Sequence, residues 1–222
     1  MPKVAVLLAG CGFQDGAEIQ EAVITLLELD RAGAEVQFFA PDIQQEHVIN
    51  HLDGTVSSYR ERSVIEEAAR IVRGDIVPLT DAKASDFDAL IMPGGFGVAK
   101  NLCSFAFDGA SCAVDGEVER FILDMYRAGK PIGAICISPA LVARVLGADD
   151  ISVTVTIGND KKTAQAIRDC GAVHVDCHVD AIVIDEKNNI ISTPAYMYST
   201  TTPSRVEQGI GKLVKAVLER IK

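Results

Sequence analysis

The start of this chain lacks the long apolar run that a membrane-spanning helix or a signal peptide requires. A helix needs about 20 predominantly apolar residues to cross a bilayer, whereas the run Val4 to Ala9 ends at once in glycine. A signal peptide would also need a longer apolar core and a cleavage site of small residues. We therefore interpret Val4 to Ala9 as the first buried strand of a globular domain.

Paired cysteine motifs are absent as well. The six cysteines are scattered and none forms a CxxC pair: Cys11, Cys103, Cys112, Cys136, Cys170 and Cys177. A chain of 222 residues can bury a core without disulfides, so we expect a reducing compartment and a cytoplasmic protein. His174, Cys177 and His178 lie in a predicted strand, where adjacent side chains point to opposite faces, so we expect no metal.

The chain has fewer basic than acidic side chains. The chain has 21 basic and 31 acidic residues and a formal net charge of -10, which repels nucleic acid and anionic lipid. We therefore expect neither nucleic acid nor membrane partners. The sequence has no GxGxxG or P-loop motif, so we expect no nucleotide cofactor. Homo-oligomers are common among soluble enzymes, and we expect a homodimer.

What the sequence does have is an alternation of apolar and amphipathic segments, which is typical of an α/β fold with a mostly parallel sheet. The predicted strands are Val4 to Ala9, Glu35 to Ala40, Ile76 to Leu79, Ala89 to Met92, Pro131 to Ile135, Val153 to Ile157, Val173 to Val179, Ile182 to Asp185 and Ile190 to Thr193. The predicted helices are Ala17 to Ala32, Arg60 to Val72, Gly116 to Ala128, Ser138 to Leu146, Lys161 to Cys170 and Ser204 to Ile221. We expect a single domain over residues 1–222 with an insertion at about 42–85.

Cys136 stands where a predicted buried strand meets a helix that begins with Ser138 and Pro139. This pattern resembles a nucleophile elbow with sulfur in place of oxygen. The free N–H groups of a helix start favour a thiolate, which predicts a lowered thiol pKa, and the N–H of Ile137 could stabilise an oxyanion. The alternative interpretation is a buried structural cysteine.

Three glycine-rich loops follow predicted parallel strands and should therefore meet at one edge of the sheet. They are Gly10–Gly12, Pro93–Gly97 and the elbow at Cys136. Glycine lets the backbone approach a ligand closely, so Gly94 or Gly95 could supply a second oxyanion donor. The alternative role for these glycines is tight turning alone.

The first predicted helix offers two acidic residues as partners for the thiol, Glu18 and Glu21. Both lie near the edge where the preceding strand ends, and Glu21 is the stronger candidate for a general base. Asp15, three residues before Glu18, resembles the start of a capping box. The alternative interpretation of either glutamate is a solvated helix face.

The chain resembles the ThiJ/PfpI branch of the class I glutamine amidotransferase-like superfamily. The resemblance rests on Ile91–Gly95, the Cys136 elbow and the position of Glu21 before Arg31–Gly33. Within that branch it is most similar to the ElbB proteins, described as isoprenoid-biosynthesis or sigma-cross-reacting proteins. The segments that carry this second resemblance are Gly10–Gly12, Asp15–Gly16, Phe39–Asp42, Val48–His51, Gly94–Leu102 and Thr193–Met197.

This resemblance implies a flavodoxin-like fold, with Cys136 as nucleophile and Glu21 as its hydrogen-bonded acid/base partner. It places Gly94 or Gly95 and Ile137 around the oxyanion, and it implies a glyoxalase activity that needs neither glutathione nor a cofactor. The substrate would be a small dicarbonyl compound. Nothing in the residues themselves indicates prenyl or pyrophosphate binding.

One departure from the family pattern decides among activities. Peptidases and amidotransferases of this superfamily carry a histidine after the cysteine, whereas this chain has Ile137 there and no histidine in Val153 to Asn159. Hydrolysis of an amide requires an acid for the leaving amine, so amidotransferase activity is disfavoured. We predict conversion of glyoxal or methylglyoxal to a 2-hydroxy acid through a cysteine hemithioacetal. The alternative is a non-catalytic binding or redox-sensing domain that uses Cys136 and Cys11.

Overall fold

A computed structural model describes residues 1–221 of the chain. The strands are β1 Lys3–Leu7, β2 Glu35–Ala40, β3 Val77–Pro78, β4 Ala89–Met92, β5 Ile132–Ile135, β6 Thr154–Val155, β7 Val173–His174, β8 Val183–Asp185 and β9 Ile190–Thr193. The helices are α1 Ile19–Arg31, α2 Val64–Ile71, α3 Phe105–Asp108, α4 Gly116–Arg127, α5 Ser138–Ala148, α6 Lys161–Asp169 and α7 Pro203–Leu218. A short π-helix, Val98–Leu102, precedes α3 and was not predicted.

Seven strands form the central sheet in the order β3-β2-β1-β4-β5-β9-β8. All neighbouring pairs are parallel except β8 and β9, which form the predicted antiparallel hairpin. Side chains alternate between two cores: in β1, Val4 and Val6 pack on one side of the sheet, and Ala5 and Leu7 on the other. Burial on both faces explains why the run is apolar throughout.

Helices cover both faces of the sheet. One core includes α4, α5 and α6 and contains fully buried Phe121, Leu146 and Ile167. The other includes α1, α2 and α7 and contains Leu29 and Leu213. The predicted α/β class and flavodoxin-like three-layer arrangement are therefore confirmed. Within residues 1–221, no helix has the length and apolarity needed to cross a membrane.

The predicted strands Val153–Ile157 and Val173–Val179 do not join the central sheet. They shorten to β6 and β7, which pair with each other in a separate two-stranded parallel sheet. Side chains take the place of a backbone ladder to the central sheet. Asp185 Oδ2 accepts from Thr154 N at 2.7 Å, and Ser192 Oγ accepts from Thr156 N at 3.0 Å.

The predicted insertion at 42–85 divides into two parts. Residues 42–63 form an irregular excursion with isolated antiparallel bridges, Gln44 to Ser63 and Ile49 to Val56. The remainder contains α2 and β3, and β3 extends the central sheet beside β2. The helix therefore begins at Val64, with Ser63 as its N-cap, rather than at Arg60.

The predicted capping box at Asp15 is wrong. The N-cap of α1 is Glu18, whose Oε2 accepts from Glu21 N at 2.7 Å. Asp15 is buried and instead anchors the excursion, because its Oδ2 accepts from Ile49 N at 2.6 Å. An acidic side chain can satisfy the free N–H groups of any nearby backbone segment, and here a distant segment folds back onto Asp15.

Candidate active site

Cys136 occupies a strained turn between β5 and α5. Its φ is 61°, in the left-handed region, which costs a residue other than glycine about 1–2 kcal/mol. The surrounding structure enforces this turn: Cys136 N donates to Thr193 O at 2.9 Å, and Ser138 Oγ donates to Pro93 O at 2.9 Å. Pro139 favours the helix start in the first turn of α5. The predicted elbow geometry is present.

Glu21 lies directly beside this thiol and is completely buried. Its Oε2 accepts from Gly94 N at 2.8 Å and its Oε1 accepts from Tyr196 N at 3.1 Å. The carboxyl group is also hydrogen-bonded to the Cys136 thiol. Two backbone donors from distant loops therefore hold the carboxyl group against the sulfur.

Gly94 is the contact point between the two side chains. A Cβ atom at this position would lie 2.8 Å from Glu21 Oε2 and 3.0 Å from Cys136 Sγ, and it would collide with Cys136 Cβ. The space between the thiol and the carboxyl group therefore admits only glycine. Because the N–H of Gly94 is already donated to Glu21, it is not free for an oxyanion, and the predicted role of Gly94 as an oxyanion donor is not supported.

Gly95 and Ile137 supply the N–H groups that face the sulfur. Both donate backbone hydrogen bonds to the Cys136 thiol. Gly95 has a φ of +98°, and a Cβ atom there would collide with the backbone of Gly16 and Glu18. Of the two candidate glycines, Gly95 is thus the one placed to stabilise charge at the reacting centre.

Burial raises the pKa values of both reacting groups. The pKa of Glu21 rises to about 8 because the carboxyl group is buried and the Glu18 carboxylate lies nearby. The pKa of Cys136 lies well above its ordinary value because the thiol is buried and faces Glu21. The donors Gly95 and Ile137 offset only part of this effect. The predicted lowering of the thiol pKa is wrong, since desolvation outweighs the N–H groups of the helix start.

A small pocket opens onto the sulfur. Its volume is about 170 Å³, and nine residues line it: Phe13, Glu18, Gly95, Phe96, Cys136, Ile137, Thr163, Tyr196 and Met197. None of these nine is histidine, lysine or arginine. Larger grooves between α1 and α7 and along residues 48–62 contain neither the thiol nor Glu21.

Of the three glycine-rich loops predicted to meet at one edge of the sheet, the loop Gly10–Gly12 does not line this pocket. Gly10 and Gly12 face the excursion, where added Cβ atoms would meet Gln45 and His51. Cys11 lies near Glu67 and Arg70 of α2 and does not line the pocket, so nothing in the lining supports the Cys11–Cys136 bridge that was one form of the redox alternative.

Sequence reasoning missed Tyr196 as a residue that positions Glu21. Tyr196 follows β9, the neighbour of β5, in a turn where Ala195 has a φ of 45°. Two strained residues other than glycine, Cys136 and Ala195, thus lie at the ends of adjacent strands. The order of strands in the sheet, which a single sequence does not give, was the missing signal.

A thiol at an elbow, a buried glutamate and a three-layer α/β fold define an amidotransferase-like class of protein. The profile of the DJ-1/PfpI family matches residues 2–193. The chain belongs to the DJ-1/PfpI family.

Full-length relatives agree with this assignment. The chain is 46% identical to the human glutamine amidotransferase-like class 1 domain-containing protein 3, mitochondrial, over 98% of this chain and 82% of that protein. It is 38% identical to the zebrafish (Danio rerio) ES1 protein, mitochondrial, over 97% of this chain and 84% of that protein. A crystal structure of an isoprenoid biosynthesis protein with an amidotransferase-like domain from Ehrlichia chaffeensis superposes with a TM-score of 0.93 at 39% identity and covers both chains fully.

A glyoxalase III from Candida albicans shares the fold, with a TM-score of 0.62 at 15% identity over 100% of this chain and 98% of that one. This likeness concerns the fold alone.

The names of the relatives overturn our expectation of a cytoplasmic protein. The human protein, its rat homologue and the zebrafish protein are all described as mitochondrial. All six cysteines of this chain are free. Free thiols distinguish reducing from oxidising compartments, but they do not distinguish the cytosol from a reducing organelle, so the original inference went too far.

Proposed function

We propose that this protein is a cofactor-independent, glutathione-independent glyoxalase that converts glyoxal to glycolate and methylglyoxal to lactate. The observation that carries the proposal is the hydrogen-bonded pair of Cys136 and buried Glu21 at the base of a small pocket with no histidine in its lining. The fold shared with a glyoxalase III supports it further.

The first step is addition of the thiol to an aldehyde. Glu21 takes the proton from Cys136 as the sulfur bonds to the aldehyde carbon, and the N–H groups of Gly95 and Ile137 stabilise the developing oxyanion. Glu21 then returns the proton to that oxygen. The product of this step is a neutral hemithioacetal.

The second step moves a hydrogen between the two carbons. The Glu21 carboxylate removes the proton from the carbon bonded to sulfur and delivers it to the neighbouring carbonyl carbon through an enediol, while the hydroxyl proton passes to the adjacent carbonyl oxygen. This internal rearrangement oxidises one carbon and reduces the other, so no external oxidant is required. Water cleaves the resulting thioester, which releases the 2-hydroxy acid and restores the thiol.

The missing histidine fits this chemistry. Isomerisation of a hemithioacetal releases no amine, so no second acid is needed to protonate a leaving group. One carboxyl group within reach of both carbons is sufficient. Glutamine hydrolysis in this superfamily relies on a histidine, which the pocket lining does not contain.

The decisive experiment follows glyoxal consumption and glycolate formation without glutathione in the wild type, Cys136→Ser and Cys112→Ser. Cys112 is an equally buried cysteine outside the pocket, so its replacement is the matched control. We expect turnover in the wild type and in Cys112→Ser, with a loss of about 10³-fold or more in Cys136→Ser. An inactive wild type, or full activity in Cys136→Ser, would overturn the proposal.

A further inference from the structure

The walls of the Cys136 pocket are apolar although the chain as a whole is acidic and poor in aromatic residues. Five of the nine lining residues are Phe13, Phe96, Ile137, Tyr196 and Met197. Aromatic residues make up only 5% of the chain, yet three of them line this one pocket. Such a lining binds apolar ligand surface and leaves orientation to a few polar groups.

Two of these side chains are about half exposed. Phe13 is 48% and Phe96 is 52% exposed. Their backbones are joined, because Phe96 N donates to Phe13 O at 2.8 Å. An apolar group in contact with these rings would remove their surface from water, and the backbone hydrogen bond already joins the two loops that carry them.

The pocket lining disfavours anions, because it includes the carboxyl group of Glu18 and no cation. The nearby cation Lys100 stacks on Phe96 at 5.4 Å from the ring centroid and donates to Gln14 O, and it is not part of the lining. A substrate with a carboxylate or phosphate would approach acidic groups with no lining cation to pair with.

The size of the pocket limits the apolar group. About 170 Å³ is well below the roughly 300–1,000 Å³ of pockets that enclose drug-sized ligands. One aryl ring or a branched alkyl group beside the two reacting carbons is a reasonable upper limit. A glutathione adduct, which is larger and carries carboxylates, does not fit this description.

We infer that the preferred substrates are neutral α-oxoaldehydes whose ketone carbon carries an aryl or branched alkyl group. This inference rests on the proposed function and narrows its substrate class. The aldehyde carbon would bond to Cys136 Sγ, and the apolar group would lie between Phe13 and Phe96 at the mouth of the pocket.

The test compares kcat/KM for glyoxal, methylglyoxal, phenylglyoxal and 4-carboxyphenylglyoxal. The last two have the same ring, and only the second carries a negative charge. We expect kcat/KM for phenylglyoxal to exceed kcat/KM for glyoxal by about tenfold or more, since one added apolar group changes selectivity by that order. The kcat/KM for 4-carboxyphenylglyoxal should be lower than that for phenylglyoxal by a similar factor.

A pair of phenylalanine variants separates pocket contacts from intrinsic substrate reactivity. Phe96→Ala should reduce the phenylglyoxal-to-glyoxal ratio by about tenfold. Phe107→Ala is the matched control, because Phe107 is also 52% exposed but lies on α3 outside the pocket lining. If the ratio is unchanged in Phe96→Ala, or if glyoxal is the best substrate, the inference fails while the proposed function stands.

Alkylation of Cys136 tests the same pocket without turnover. The rates at which iodoacetanilide, iodoacetamide and iodoacetate label Cys136, each normalised to the rate with a free thiol, should fall in that order. In Phe96→Ala the ratio of the iodoacetanilide rate to the iodoacetamide rate should be smaller. If no dicarbonyl is consumed but this order holds, the proposed function fails and the apolar, anion-excluding pocket is confirmed. Equal normalised rates would overturn the inference whatever the turnover.

Discussion

Buried cysteines lie on both sides of the central sheet. Cys136 packs with the core of α1 and α7, whereas Cys103 and Cys112 pack with the core of α4 and α5. All three are nearly inaccessible, with exposures of 7%, 5% and 0%. Burial alone therefore does not distinguish a candidate nucleophile from a core residue.

On the far side of the sheet from Cys136, the pKa of Cys112 is lowered, whereas the pKa of Cys103 is raised. Cys103 is a neighbour of Cys112, and its thiol donates to Val98 O at 3.3 Å. The neighbouring Cys103 thiol lowers the pKa of Cys112 to about 7, with a further contribution from Arg144. Neither thiol lines the pocket that opens onto Cys136.

Comparison of the two sides of the sheet shows which features Cys136 has and the pair of Cys103 and Cys112 lacks. Cys136 has a strained backbone, two N–H donors, a buried carboxyl partner and an open pocket, and its pKa is raised. A favourable thiol pKa without access or a proton acceptor carries no catalytic geometry. Five predictions test whether this distinction holds.

The largest effect is expected from Glu21→Gln. An amide cannot take the thiol proton, so glyoxal turnover should fall by about 10²–10⁴-fold, the usual contribution of a general base. A steady-state assay at fixed enzyme concentration measures this, and circular dichroism shows whether the variant is folded. Turnover within a few-fold of wild type would remove Glu21 from the mechanism.

The same variant should change how stability depends on pH. Because the pKa of Glu21 is raised from its ordinary 4.5 to about 8, the folded state retains a proton that the unfolded state has released between these values. This contribution is therefore complete below about pH 4.5 and declines by about 1.4 kcal/mol per pH unit up to about pH 8. Urea unfolding across this window should show the decline in wild type and a shallower one in Glu21→Gln.

The next effect is expected from Gly94→Ala. The added Cβ would collide with Cys136 and separate it from Glu21, and displacement of reacting groups by about 1 Å can reduce the rate by about 10²-fold. Gly116→Ala is the control, because a Cβ atom at Gly116 has open space around it. Equal kcat values for the two variants would show that the narrow approach at Gly94 is unimportant.

A smaller effect on turnover is expected from a change of pH and from the substitution Glu18→Gln. Turnover should rise with pH to a midpoint near 8, the pKa of Glu21, because the pair reacts only after losing one proton. Glu18 is the second contributor to that raised pKa, and glutamine keeps an oxygen to cap α1. The kcat/KM profile of Glu18→Gln should therefore have its midpoint at lower pH, and an unmoved midpoint would contradict this role.

The smallest effect is expected from Cys103→Ser on the far side of the sheet. Glyoxal turnover should stay within about twofold of wild type, since independent sites affect one another little. A large loss of turnover in a variant that unfolds at the wild-type urea concentration would mean that the two thiol regions are coupled.

The sequence itself determined the local features of this protein. The alternation of apolar and amphipathic segments predicted the α/β class, and the run into Cys136, Ser138 and Pro139 predicted the elbow, because each depends on residues a few positions apart. The resemblance to a family supplied the pairing of Cys136 with Glu21. These inferences needed no distances between remote parts of the chain.

Only the tertiary structure decided which groups meet at the sulfur. In the folded chain the N–H of Gly94 donates to Glu21, and the N–H of Gly95 faces the thiol. Tyr196, which follows the neighbouring strand, donates to Glu21, and Cys11 lies near α2. The tertiary structure also reversed the expected shift of the thiol pKa. Desolvation, strand order and the direction of each donor are properties of packing between distant segments, and neighbouring residues in the sequence do not encode them separately.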